Sequence, residues 1–221
     1  DSIQTETVKV WNRPADLSAV LTQVLVDDEI GKRIDGKHVS LAGFSLGGYT
    51  VLASAGARVD AETYARYCDT NKEPVSECVW LAKGGADLHR LDKKMFNQSN
   101  LDERFSSVVS IDPALAQAFT KESLAAMSIP TLMINLGEPG KIPLAVDAAK
   151  VVKRIPGADY RTIADAMHFS FLGICKPNAK QVLADEGETD PLCDDGGGRP
   201  RREIHADIVS MVVGFFKDKL T

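Results

Sequence analysis

Long apolar runs and clustered basic residues are both missing from this sequence of 221 residues. No apolar stretch reaches the roughly 18 to 20 residues that a membrane-spanning helix needs. Lysine and arginine total 26 against 31 aspartate and glutamate residues, a net charge of -5, and the basic residues are scattered along the chain. No basic patch with interleaved aromatic residues is present. We therefore expect neither a membrane span nor a nucleic-acid partner.

Residues that bind metals are also scarce, since the chain has four histidines and four cysteines. No histidine and carboxylate cluster has ligand spacing, so the sequence predicts no metal and no other cofactor. The cysteines form two local pairs in polar stretches, Cys68 with Cys78 and Cys175 with Cys193. A disulfide within each pair indicates an oxidising compartment and thus an exported protein, periplasmic or secreted. The alternative is four free thiols in a cytosolic enzyme, whereas zinc fits less well because companion histidines are lacking.

The order of apolar patterns along the chain is typical of an α/β protein. Strand patterns occur in HVSLAGF, FSSVVSID, IPTLMINLG and ADYRTIAD. Helix patterns occur in RPADLSAVLTQVL, LGGYTVLASAGA, PALAQAF, ESLAAM, PLAVDAAKVVKRI and EIHADIVSMVVGFFKDKL. This alternation predicts a mostly parallel sheet flanked by helices, in a single domain over residues 1–221. The polar stretch from about 58 to 105 interrupts the alternation, and we interpret it as a cap-like insertion.

Ser45 lies in the segment GFSLG, directly after the first predicted strand and before a predicted helix. In this context G-x-S-x-G predicts a nucleophile elbow, a sharp turn that exposes the serine hydroxyl. Glycine at positions 43 and 47 is expected to prevent collisions with the adjoining strand and helix. The backbone N–H of Leu46, at the start of the helix, is the predicted oxyanion-hole donor. A glycine-rich turn without chemistry is the alternative interpretation.

A serine nucleophile needs a base, and His168 is the best placed of the four histidines. It follows the last predicted strand at its carboxyl end, where a loop can bring an imidazole to Ser45. His38 begins the strand that leads to the elbow, and so lies at the opposite end of the sheet. His89 lies within the insertion. His205 lies on the last predicted helix, where we expect contact with solvent or a capping role.

Two strand ends could supply the acid that orients the base. Asp112 ends the strand that follows the insertion, where a carboxylate beside apolar residues needs a partner. Its position also gives the chain order nucleophile, acid, base. Glu138, at the end of the next strand, is the alternative acid. Asp165 is expected to form a bond that stabilises the loop before the histidine.

The segments RPADLSAVL, GFSLGGYT, SIDPAL, IPTLMINLGE, MHFSFLGIC and HADIVSMVVGFF together resemble a known group. They are similar to α/β-hydrolases of the dienelactone-hydrolase-like and platelet-activating-factor-acetylhydrolase-like kind. The resemblance implies an α/β-hydrolase fold and a serine carboxylesterase in which Ser45, Asp112 and His168 match the family's triad. Members with a cysteine after HFSFL are often exported bacterial proteins. Dienelactone hydrolases proper use a cysteine nucleophile, so the serine at position 45 argues against that substrate.

The N-terminal part of the sequence differs from the pattern of this family. Such hydrolases have several strands before the elbow, and a loop among them, usually near a His-Gly sequence, donates the second oxyanion-hole N–H. Here one convincing helix precedes Ser45, and no His-Gly sequence occurs anywhere in the chain. We therefore expect the chain to be the C-terminal part of a longer polypeptide, with a companion N-terminal fragment that completes the site.

The chemistry expected from these residues is hydrolysis of small to medium carboxylic esters through an acyl-enzyme. The same triad would also serve hydrolysis of amides or peptides. A different class of function is binding by a catalytically inactive protein with the same fold. Retention of a serine, an aspartate and a histidine in the required order argues against that class.

Overall fold

The computed structural model describes residues 3–71 and 76–219. Four strands form one sheet: β1 Val39–Phe44, β2 Phe105–Ile111, β3 Thr131–Leu136 and β4 Asp159–Ile163. The helices before β2 are α1 Gln4–Thr7, α2 Asn12–Val26, α3 Leu46–Ser54, α4 Ala61–Thr70, α5 Glu77–Lys83 and α6 Lys93–Phe96. Those after β2 are α7 Lys121–Ala125, α8 Ala149–Val152, α9 Ala179–Asp185 and α10 Arg201–Lys219. Short 3-10 helices occupy Gly31–Arg33, Leu88–Arg90 and His168–Phe171.

The sheet has the order β1-β2-β3-β4, and every neighbouring pair is parallel. The prediction of a mostly parallel sheet flanked by helices is therefore confirmed. Phe44 pairs with Ile111, which in turn pairs with Ile134, so the carboxyl ends of the first three strands lie side by side. Rossmann-like and hydrolase-like folds share this arrangement, and their ligands bind at this edge. The order of strands thus identifies the edge at which a site is expected, without selecting one of these folds.

Alternate residues of the central strands enter two different hydrophobic cores because strand side chains alternate between the faces of a sheet. Val108 and Met133 belong to the core that also contains residues of α3, α4, α5 and α7. Val109 and Ile134 belong to the core on which α10 packs, through Ile204, Ile208 and Phe215. Both central strands are almost fully buried, as expected for parallel strands that are covered on both faces.

The polar stretch before β2 folds onto the first core as three helices, α4, α5 and α6, although residues 72–75 of the predicted insertion lie outside the described part. A disulfide between Cys68 and Cys78 joins α4 to α5. Both cysteines are buried on helices, whereas their polar neighbours had suggested loops. The second disulfide joins Cys175 to Cys193, so the predicted pairing is confirmed. Among the described helices, none combines the length and the apolar character needed to cross a bilayer.

The segment PALAQAF, predicted to be helical, forms turns that end in an isolated bridge between Phe119 and Val59. Asp112 and Leu115 adopt φ values of 43° and 56°, which no right-handed helix contains. The backbone N–H of Ala114 donates to the carbonyl of Ser45 at 2.9 Å. Bonding to the serine turn therefore overrides the helical preference of the alanines and the leucine in this segment.

The segment PLAVDAAKVVKRI was predicted to be one helix, but only Ala149–Val152 is α-helical. The side chain of Asn135, on β3, donates to the carbonyl of Val146 at 2.8 Å and accepts from the N–H of Ala148 at 2.9 Å. These two backbone groups are thus bound to a side chain from the sheet. This explains why the segment begins as turns before it becomes a helix.

Asp102, in the loop before β2, connects that loop to α2. Its carboxylate accepts from Arg104 Nε at 2.8 Å and from Ser18 Oγ at 2.7 Å. Arg104 also donates to the carbonyl of Ser18 at 2.9 Å and to the hydroxyl of Thr22 at 2.8 Å. Chiefly because of the bond to Arg104, the pKa of Asp102 falls from 3.8 to about 2.

We predict that Asp102→Asn lowers the free energy of unfolding at pH 7 by about 2 kcal/mol, the value of such a pKa shift. Because the folded pKa is the lower one, this stabilisation is complete above about pH 5 and is lost as the pH falls from about 4 towards about 2. Urea unfolding of both proteins at pH 7 and pH 2.5 measures the difference. A difference that stayed constant with pH would contradict the ionic origin.

Candidate active site

Ser45 occupies the turn between β1 and α3 in a backbone conformation that non-glycine residues rarely adopt. Its φ and ψ are 54° and -117°. Its N–H donates to the carbonyl of Ile111 at 2.9 Å, and its carbonyl accepts from the N–H groups of Ala114 at 2.9 Å and Tyr49 at 3.1 Å. Three hydrogen bonds to β2, its following loop and α3 therefore hold the residue in place. Backbone strain that is maintained in this way is concentrated at functional sites.

The glycines around Ser45 differ in the space that surrounds them. A Cβ on Gly43 would lie 2.2 Å from the carbonyl oxygen of Gly47, so no side chain fits there. A Cβ on Gly47 would meet nothing within 4 Å, which overturns the expected collision at that position. Gly48 is the second crowded position, because its Cβ would lie 3.0 Å from the carbonyl oxygen of Ile111. The close contact between α3 and β2 therefore depends on Gly48, one residue beyond the motif.

Asp112 follows β2 directly, and its side chain is completely buried. Its Oδ1 accepts from the backbone N–H of Leu136 at 2.9 Å and from Asn135 Nδ2 at 2.7 Å. Its Oδ2 lies 2.9 Å from His168 Nδ1. A buried carboxylate is tolerated only with such partners. Two donors from β3 hold one oxygen and leave the other directed at the histidine.

His168 begins the 3-10 helix His168–Phe171, and its side chain is 20% exposed. The imidazole lies against Phe44, with ring centroids 4.6 Å apart, and against Phe169 at 5.3 Å. Phe44 also stacks on Phe171 at 4.2 Å. With Nδ1 bonded to a carboxylate, the neutral ring carries its proton on Nδ1 and has its lone pair on Nε2. One hydrogen bond and the aromatic contacts thus fix the orientation of the ring.

The 3-10 helix that carries His168 is bound by a side chain of α10. His205 Nε2 donates to the carbonyl of Ser170 at 2.9 Å, and the Ser170 hydroxyl accepts from the N–H of Met167 at 3.1 Å. For His205 the sequence suggested contact with solvent or a capping role on its own helix, whereas its imidazole binds a carbonyl of the distant 3-10 helix. Sequence reasoning assigned no role to Ser170, since nothing near it distinguishes it from a surface serine.

Ser45 and His168 line the same cleft, whose volume is about 920 Å³. Its other walls come from α5, from the loop after β3 and from the loop closed by the second disulfide. Leu46 is the first residue of α3, so its N–H has no acceptor within the helix and lies at the positive end of the helix dipole. The cleft therefore brings together a strained serine, an oriented imidazole and a helix start.

The alternative residues are engaged elsewhere. Glu138 lines the cleft but pairs with Lys141 at 2.6 Å, and Asp165 binds Arg199 with both oxygens, at 2.6 and 3.0 Å. The Asp165 contact is the loop-stabilising bond that its position suggested. Two other histidines form ion pairs on the surface. His38 pairs with Asp35 at 2.6 Å, and His89 pairs with Asp69 at 3.0 Å.

Asn135 is a further member of the site that sequence reasoning missed. It is completely buried, donates to Asp112, and accepts from the hydroxyl of Tyr160 at 3.0 Å. Burial raises the pKa of Tyr160 to about 12, with the carboxylates of Asp147 and Asp112 acting in the same direction. The phenol therefore remains a donor at neutral pH. A polar residue inside the apolar run TLMINL was the available signal.

No family model matches this chain, and no curated protein matches it. In the described part of the chain, no group of three or more histidine, cysteine, aspartate or glutamate side chains could hold a metal ion.

We predict that Gly43→Ala lowers the free energy of unfolding by about 3 kcal/mol or more, because its methyl group would overlap a backbone carbonyl. The matched variant Gly47→Ala should change it by less than about 1 kcal/mol, in the stabilising direction, since alanine favours helix and has free space there. Chemical denaturation of the two variants makes the comparison. Equal stabilities would contradict the packing described for this turn.

Proposed function

We propose that this protein is a serine hydrolase with an α/β-hydrolase fold that cleaves small to medium carboxylic esters. The observation that carries the proposal is the 2.9 Å contact between His168 Nδ1 and the fully buried Asp112, in the cleft that Ser45 also lines. Partner residues of this kind, on neighbouring strand ends, form the nucleophile, base and acid of acyl-transfer enzymes. The parallel sheet and the strained serine are compatible with the same fold.

In the first half of the proposed reaction, Ser45 Oγ attacks the acyl carbon of the ester. His168 Nε2 takes the hydroxyl proton, and Asp112 stabilises the imidazolium that forms. The carbonyl oxygen becomes an oxyanion that accepts a hydrogen bond from the N–H of Leu46. As the tetrahedral intermediate collapses, the proton on Nε2 passes to the departing alcohol and leaves an acyl group on Ser45.

In the second half, water takes the place of the alcohol. His168 Nε2 removes a proton from the water as its oxygen attacks the acyl carbon, and the same proton returns to Ser45 Oγ when the carboxylic acid departs. A cleft of about 920 Å³ accommodates a small to medium ester with room for water. The two disulfides fit an exported enzyme, because such bonds persist in oxidising compartments.

We predict that a fluorophosphonate probe labels Ser45, as peptide mapping would show, and that His168→Ala slows labelling by about 100-fold or more. The matched variant His38→Ala should label at the unchanged rate, because His38 lies on the surface and pairs only with Asp35 in the described structure. A series of 4-nitrophenyl esters of increasing acyl length then measures hydrolysis and the size limit of the cleft.

Three results would count against the proposed function. Equal labelling of the Ser45→Ala variant would place the reactive hydroxyl elsewhere. Hydrolysis of amides in preference to matched esters would favour the amide hydrolase. Absence of both label and turnover would favour a binding protein that has the fold without the chemistry.

The proposal includes a second oxyanion donor supplied by a preceding segment of a longer polypeptide. β1 pairs with β2 on one side and is the edge strand of the sheet, with Ala42 exposed in its middle. A strand added parallel to β1 on this side would run towards Ser45, and the loop after it could place an N–H beside the acyl oxygen. The unpaired side of β1 is therefore the position that we propose for such a segment.

We predict that residues 1–221 alone turn over esters about 100- to 1,000-fold more slowly than the longer polypeptide, the effect of losing one oxyanion donor. Intact mass and kcat, measured on the same preparations, make the comparison. Full turnover by material of 23.9 kDa, without a companion fragment, would contradict this part of the proposal.

A further inference from the structure

Two segments that are distant in sequence, each attached by a disulfide, line the same cleft. The first is α5, which contains Cys78 and contributes Trp80 and Lys83 to the lining. The second is the loop between Cys175 and Cys193, which contributes Glu188 and Asp190. The side chains on these two walls face the substrate space opposite the strand ends.

The second wall is held rigidly by Arg201, at the start of α10. This side chain is 5% exposed and pairs with Asp195 at 2.6 Å. It also donates to the carbonyls of Gly173 and Leu192, both at 2.9 Å. Together with the disulfide, these contacts connect both ends of the loop to one helix. The residues of this loop that line the cleft therefore have defined positions there.

The two carboxylates of this loop that line the cleft, Glu188 and Asp190, have different surroundings. Glu188 Oε1 accepts from the backbone N–H groups of Thr189 and Asp190, both at 2.8 Å. The half-buried carboxylate of Asp190 has no hydrogen bond or ion pair to any residue that the structure describes. Desolvation raises its pKa, and the charge of Glu188 adds to this effect, whereas Lys83 and His168 oppose it. Asp190 is thus a half-buried carboxylate of the cleft that no described cation binds directly.

The second wall is negatively charged. Its described lining residues include two carboxylates, Glu188 and Asp190, and no cation. Of the two lysines in the described lining, Lys141 is already paired with Glu138 at 2.6 Å. Low-dielectric walls strengthen the field of these carboxylates. A carboxylate on the substrate would be repelled and a cation attracted.

Trp80 also favours a positively charged group in the cleft. The indole packs on the first hydrophobic core and also lines the cleft. A cation that approaches an indole face is attracted by the ring quadrupole. A cation bound in this cleft would therefore be attracted both by the indole of Trp80 and by the carboxylate of Asp190.

We propose that Asp190 is a specificity-determining residue, and that the preferred ester carries a positively charged ammonium group directed between Asp190 and Trp80. This inference rests on the proposed function, since it names the class of ester that the same cleft accepts. Neutral esters of equal size should follow in preference, and esters with a free carboxylate should be the poorest substrates.

Three soluble probes of similar size and different charge test the proposal: 2-phenylethylammonium, 2-phenylethanol and phenylacetate. Titrations are followed by the nitrogen-15 signal of the Trp80 indole, assigned with the variant Trp80→Phe. We expect the cation to bind about tenfold more tightly than the alcohol, and phenylacetate to bind most weakly. Asp190→Asn should weaken binding of the cation about threefold to tenfold and leave the alcohol unchanged.

Asp185→Asn is the matched control, because Asp185 is an exposed carboxylate on α9 that bonds to Gln181. It should leave all three affinities unchanged. Equal affinities for the three probes, an unaltered cation affinity in Asp190→Asn, or no effect of any probe on Trp80 would each overturn the proposal. The probes contain no ester, so these outcomes do not depend on Ser45. Fluorophosphonate labelling of the same preparation tests the proposed function separately.

Discussion

The burial of the Asp112 carboxylate is the constraint on which the rest of the structure depends. A buried anion is tolerated only where donors converge on it, and here they come from β3 and from the 3-10 helix at His168. Its own N–H donates to the carbonyl of Ile134 on β3 at 2.9 Å. One side chain thus connects three parts of the chain that lie far apart in sequence. It also requires Asn135, whose amide completes the set of donors and directs the turn before α8.

Much of the fold could be predicted because its determinants are local. Buried parallel strands are rich in apolar residues, and short segments of this kind indicated β2 and β3. The turn at Ser45 needs glycine at position 43, and the motif contains this glycine between a strand pattern and a helix pattern. Disulfide partners close in sequence are the simplest pairing to expect. Asp112 and His168 were selected by residue type and by position at strand ends, and the structure places them in contact.

What could not be predicted depends on contacts between distant residues. The role of Asn135 arises only when β3 lies beside β2, and that of His205 only when α10 lies beneath the 3-10 helix. The segment after Asp112 has helix-forming residues, yet its backbone bonds to the serine turn instead. Gly48 similarly owes its importance to the approach of β2. In each case, tertiary contacts outweigh the local preference that a sequence pattern records.

The backbone bonds of Ser45 to Ile111 and Ala114 have a consequence for the order in which the site is assembled. They join the serine and aspartate turns directly, so these two residues adopt their positions as one unit when β1 and β2 pair. His168 joins that unit from a separate segment through its bond to Asp112, and its 3-10 helix is held in addition by His205 on α10. Because α10 follows every described strand in chain order, a chain that emerges N-terminus first contains Ser45 and Asp112 before the helix that supports the His168 segment. The contact between α10 and that segment therefore forms after all four strands have been made.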